Sequence, residues 1–71
     1  MQKLLKHAVG KSFSTTYYIK LFEEDNRYTV YSNNSNFNWG YSALFTSKEE
    51  AESDFYHTIN LYKHLNWKEI K

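Results

Sequence analysis

Hydrophobic and polar positions alternate through the first two thirds of the chain. In TTYYIKLFE (Thr15–Glu23), Tyr17, Ile19 and Leu21 share one side of an extended ribbon, and Tyr18, Lys20 and Phe22 share the other. The β-branched and aromatic content of this run is that of a strand. Glu24–Arg27 is a polar turn and Tyr28–Ser32 resumes the alternation, so the two runs predict a hairpin. Tyr41–Thr46 reads as a third strand with Tyr41, Ala43 and Phe45 on one side.

The period then changes. Ala51, Phe55, Ile59 and Tyr62 recur at helical spacing with Thr58 and Leu65 beside them, which predicts one apolar stripe on a helix of about five turns. Ser47 with Glu50 forms a capping box at its start, and Thr46 with Glu49 is the adjacent alternative. Glu49, Glu50, Glu52 and Asp54 crowd the N-terminal half, and Lys63 and His64 fall at the other end, as the helix dipole favours. Ahead of the strands, QKLLKHAVG predicts a short helix ended by Gly10, with Leu4, Leu5 and Ala8 inward. Such a helix is too short to stand alone and must dock. The expected fold is therefore a single α+β domain over residues 1–71. A three-stranded antiparallel sheet carries a long C-terminal helix on one face, with a short N-terminal helix, in the order (α)βββα.

Composition narrows the class. A chain of 71 residues sits near the lower limit for a self-sufficient core, since it buries only roughly 60% of its unfolded surface. With no cysteine, disulfides and thiolate zinc sites are excluded, which suits a reducing, cytoplasmic setting. Aromatic bulk compensates, with seven Tyr, five Phe and two Trp. Lys6 and His7 break the first apolar run well short of a signal core, and no stretch approaches the ~20 residues of a membrane span. Net charge is +1, too small to predict a nucleic-acid binder. Its distribution is uneven. Lysines without acids occupy residues 1–22, acids dominate 23–54, and lysines return after 55. Ordinary helix electrostatics with a solvated hairpin turn accounts for this; a dipolar surface that steers a charged partner is the sharper reading.

Catalytic and metal motifs fail on spacing. Val9–Ser12 echoes the end of a phosphate-binding loop, but Leu5 stands where the motif needs glycine, and the strand and helix around it are reversed. His57 and His64 would lie roughly 10 Å apart along a helix, too far for one ion with Zn–N bonds of ~2 Å. No serine or threonine occupies a nucleophile elbow. The pairs Glu23/Glu24 and Glu49/Glu50 fall where water solvates them instead of burial raising their pKa. The chain is expected to be no enzyme and to hold no cofactor or metal.

What remains is a set of faces and a loop. The face opposite the helix should show Tyr18, Lys20, Phe22 and either Tyr31 or Tyr28. Aromatics interleaved with lysine stack bases in single-strand binders, and the same residues suit a protein interface. Alternatively Leu4, Leu5 and Val9 pack there and close it. The helical stripe also leaves out Tyr56 and Trp67, and NNSNFNWG sets Phe37 and Trp39 among turn-forming asparagines. Such aromatics are candidate anchors, Trp39 first, with Tyr41 next to them. Alternatively, Trp39 seals the end of the sheet against the helix. Acids at 23–25 and 49–54, Glu49 and Glu52 among them, are able to imitate a phosphate backbone.

The α-β-β-β-α order and length resemble a double-stranded RNA-binding domain, whose second helix opens on a lysine-rich motif; here that stretch is Lys48-Glu49-Glu50-Ala51-Glu52. YYIKLFEEDNRYTVYS through WGY and LFTSKEEAESDF resembles the nucleic-acid-binding WGR domains over about residues 17–67. Trp39 and Gly40 match, while Tyr41 replaces the arginine. The Asn-, Lys- and Tyr-rich, proline-free composition with FTSKEEAE resembles small phage or mobile-element accessory proteins, anti-CRISPR inhibitors among them. That likeness implies stoichiometric binding to a host defence complex. The expected function is a non-catalytic protein that occupies a surface of a larger host protein or nucleoprotein complex. A small nucleic-acid-binding module is the alternative, and a self-associating homodimer the third reading.

Overall fold

The computed structural model describes residues 2–35 and 40–70. The chain runs as β1 (Lys3–Lys11), β2 (Thr16–Glu24), β3 (Arg27–Asn34), β4 (Gly40–Phe45), α1 (Lys48–Leu61) and β5 (Asn66–Ile70). All neighbouring strands are antiparallel, in the sheet order β4-β3-β2-β1-β5.

The hairpin between β2 and β3 follows from its turn chemistry. Asp25 and Asn26 both take left-handed backbone, with φ of 52° and 65°. Asp and Asn tolerate that region, and a two-residue turn of this hand matches the twist of the flanking strands. The expected helix start is borne out in its N-cap: Ser47 is the cap residue, and its Oγ accepts from the Glu50 N–H at 3.4 Å.

Three expectations are corrected, and with them the order (α)βββα, although the α+β class stands. The N-terminal segment is not a helix but a strand. An isolated two-turn helix is marginal in water, whereas an extended β1 bonds β2 on one side and β5 on the other. A register shift between Leu4 and Lys6 sends Leu4 opposite Phe22 and lets Leu5 pack against the core. The extra residue puts Leu5 and Ala8, three positions apart, on the same side of the strand, which strict alternation would not allow. The C-terminal helix is also shorter than five turns. It has 14 residues and closes at the C-cap Tyr62, whose N–H bonds the Thr58 carbonyl at 3.3 Å, so Lys63 and His64 lie beyond it. Finally, the sheet has five strands instead of three, because β1 joins it and residues 66–70 return as β5 along β1.

One face of the sheet holds the core. Ala8, Ile19, Leu21 and Val30 lie under α1, which contributes Ala51 and Phe55. Tyr28, Phe45, Ile59 and Trp67 close its margins. Leu65, also buried, enters from the turn after α1, whose Leu65 N–H bonds the Tyr62 carbonyl at 3.0 Å. No described helix is long and apolar enough to cross a membrane.

Candidate interaction surface

Since Ala8, Ile19, Leu21 and Val30 face α1, the residues between them face away. The register then fixes what shares that second face. Leu4 sits opposite Phe22, Val9 opposite Tyr18, and His7 opposite Lys20. Lys20 in turn faces Tyr31, and Phe22 faces Thr29. Leu44 flanks Thr29 on β4; Lys68 and Ile70 flank Val9 and His7 on β5. No described element packs over these side chains.

Tyr18, Lys20, Phe22 and Tyr31 are therefore brought together as expected, and Tyr31, not Tyr28, is the member from β3. Tyr28 points to the helix side, where a hydrogen bond with the Glu23 carboxylate holds its phenol pKa above the ordinary value. The alternative in which an N-terminal helix closes this face is overturned. Leu4 and Val9 belong to the face itself as strand residues, while Leu5 turns to the core.

The surface leaves apolar side chains in water. Leu44 is 63% exposed, Leu4 48%, Ile70 45% and Tyr18 37%. Tyr31 lies across Gly40, where an added Cβ would come within 2.6 Å of its ring, so glycine there lets the phenol lie flat over the sheet. Strand alternation puts Lys11, Lys20, Lys68 and Arg27 on this side, with Glu24 at the hairpin end as its acid. Glu49 and Glu50 are exposed on the helix side. The sequence's uneven charge is thus separated between two faces.

His7 sits mid-face with its Nε2 buried and without a hydrogen-bond partner. Burial, and then the Lys20 ammonium, push its pKa below 6.5. The unfolded chain therefore takes up the proton first as pH falls, so the neutral imidazole's share of stability is complete above about 6.5 and drains below it. We expect the melting temperature to fall as pH is lowered below about 6.5, and His7→Phe to flatten that part of the profile in a thermal melt series.

The other predicted contacts divide. Tyr41 belongs to the helix-side face beyond the end of α1. With Tyr17, Leu61, Tyr62 and Trp67 it lines a cleft of about 460 Å³, in which Tyr17 and Tyr62 stack at 4.9 Å. Tyr56 is half-exposed on α1, and its hydroxyl accepts from Lys6 Nζ at 2.9 Å. The same ammonium is 3.8 Å from Glu52 and from Glu69, and these partners raise the Lys6 pKa, the Tyr56 hydrogen bond most. Glu52 is thereby committed within the fold, while Glu49 remains free in the first helical turn. Trp67 is half-buried over Gly10 instead of presented to a partner, and its Nε1 donates to the Tyr62 carbonyl at 2.9 Å. Phe37 and Trp39 lie outside the described residues.

Sequence reasoning missed Leu44, Ile70, His7 and Lys68 on the open face. It also missed Phe13, which is fully exposed between β1 and β2. Phe13 had a signal: like Phe37, it is an aromatic set among small polar residues. Among the described residues, no group of three His, Asp or Glu side chains is placed to hold a metal ion. No protein-family model matches the chain, and no curated protein matches it.

Proposed function

We propose that the chain is a non-catalytic, cytoplasmic binding module whose uncovered sheet face docks on a larger protein or nucleoprotein complex. The observation that carries this reading is the uncovered face itself. Aliphatic Leu4, Leu44 and Ile70 ring the aromatics Tyr18, Phe22 and Tyr31, with Lys20 and Lys68 among them. Aromatic-rich patches with an apolar centre typify protein interfaces, and exposed aliphatics cannot stack on bases. The lysines suit a partner that offers carboxylates around an apolar centre. An anti-defence inhibitor of the anti-CRISPR kind is the finer form of this reading, and its support is the style of the sequence alone.

A second reading has its own observation. Tyr18, Lys20, Phe22 and Tyr31 are neighbours on the adjoining strands β2 and β3, an arrangement able to stack single-stranded bases. The WGR-like stretch adds to it.

Two measurements test the proposal together. Immobilised protein is incubated with a host lysate beside Phe22→Ser with Lys20→Glu, and beside Glu49→Ala as a helix-side control. A partner retained by wild type and the control, and lost by the double variant, is expected. Binding to single- and double-stranded oligonucleotides is then titrated between roughly 50 and 200 mM salt. The proposal expects no affinity; tight binding with a steep negative salt slope would replace it with the nucleic-acid reading.

A further inference from the structure

The sheet ends on two edges, and they are guarded differently. β5 carries Lys68 and Glu69, and charge on an edge strand discourages the addition of another strand. β4, Gly-Tyr-Ser-Ala-Leu-Phe, has neither charge nor proline. Its inner side pairs with β3, and no described strand pairs with its outer side. Tyr41, Ser42 and Leu44 are exposed along it. An open, uncharged edge is a template for strand addition.

We infer that the strand added there is β4 of a second copy. Two identical antiparallel strands related by a two-fold place the axis normal to the sheet, midway between one residue and its own copy facing it. Centred on Ala43, the pairing uses Tyr41 to Phe45 in full. Ala43 meets Ala43, Tyr41 meets Phe45 twice on the helix side, and Ser42 meets Leu44 twice on the open side. Aromatic cross-strand pairs are among the stabilising ones, and the smallest side chain falls where the copies are closest. A shift of centre to Ser42 pairs Tyr41 with Ala43 and Leu44 with Gly40, and it loses both aromatic pairs.

The helices allow it. α1 lies mainly over β3, so the two helices stand three strand spacings apart, about 14 Å. That exceeds a helix diameter of ~10–12 Å. The cleft bounded by Phe45, Glu50, Ser53, Asp54 and His57 opens on this gap, which keeps its carboxylates hydrated. An axis normal to the sheet also turns both uncovered faces the same way, and dimerisation adds stability to a small core by mass action.

Sedimentation equilibrium from about 10 to 500 µM tests this. The expected result is a species of twice the 8.6 kDa chain mass. Ser42→Lys combined with Leu44→Lys sets like charges opposite each other across the pairing. It should return the monomer with an unchanged circular dichroism spectrum, since both positions are exposed. The chain has no cysteine, so Ala43→Cys should cross-link to a covalent dimer on mild oxidation, while Lys68→Cys on the other edge should not. A monomer throughout the range, a dimer indifferent to the paired lysines, or cross-linking through position 68 in place of 43 would each overturn the inference.

Discussion

Phe55→Ala is expected to lower the melting temperature by about 15–30 °C, the largest effect of any single truncation among the described residues. Phe55 is fully buried and is the largest side chain sealed in the core. It stands on α1 above Ile19 and Leu21 of β2 and Val30 of β3, so its ring joins the helix to two central strands. Truncation costs the transfer free energy of the ring plus the void it leaves, about 3–5 kcal/mol. A domain of this size has a total stability of only about 4–10 kcal/mol, so the loss takes at least about a third of it. Chemical denaturation followed by far-UV circular dichroism reads this directly. Tyr56→Ala is the control: its ring is half-exposed, and the same melt should shift by only a few degrees. Equal shifts for the two would place the core elsewhere than under α1.

Gly10→Ala is the second. A methyl group at Gly10 would stand 2.7–2.9 Å from three atoms of the Trp67 indole, at the fused centre of the ring. The indole cannot yield by bending a flexible tip; it must move as a plate, and its Nε1 bond to the Tyr62 carbonyl then breaks. Overpacking of this kind costs about 1–3 kcal/mol. Alanine returns only about 0.5–1 kcal/mol through the less flexible unfolded chain, so the clash decides the sign. The distinguishing measurement is a double-mutant cycle with Trp67→Ala. In that background the indole is gone, and Gly10→Ala should be neutral or mildly stabilising. Destabilisation of equal size in both backgrounds would show that the Trp67 contact is not the cause.

The parts of the fold legible in the sequence were those whose signals are local. Asp25 and Asn26 announce a tight turn, alternation announces β2 and β3, and Ser47 with Glu50 announces the start of α1. The open face was legible too, because Tyr18, Lys20 and Phe22 follow from alternation once a helix is laid on Ile19 and Leu21. What could not be read was decided by distant neighbours. Leu4, Leu5 and Ala8 have helical spacing and no β-branched residue among them. Their strand state comes from β2 and β5, which lie far along the chain. Gly10 looks like a helix terminator in the sequence; its role in the fold is to make room for an indole fifty-seven positions on. β5 hides behind the charges of Lys68 and Glu69, and the helical period runs through Tyr62 towards Leu65 although the chain has already turned. For the site, Leu44, Ile70 and Lys68 became neighbours of Thr29, His7 and Val9 only through the register of edge strands that the pattern did not reveal.

The place of β1 between β2 and β5 sets the order of folding events. The β2–β3 hairpin closes over two residues and the β3–β4 pairing over a short span, so both form early and at low entropic cost. His7 meets Ile70 only by closing a loop that contains almost the entire chain, and contacts of that range are slow to form. β1 can zip onto β2 before this happens, but its other side then lies bare, a second raw edge beside that of β4. The interval before β5 arrives is thus when the chain is most prone to misassociation, and Lys68 and Glu69 end it.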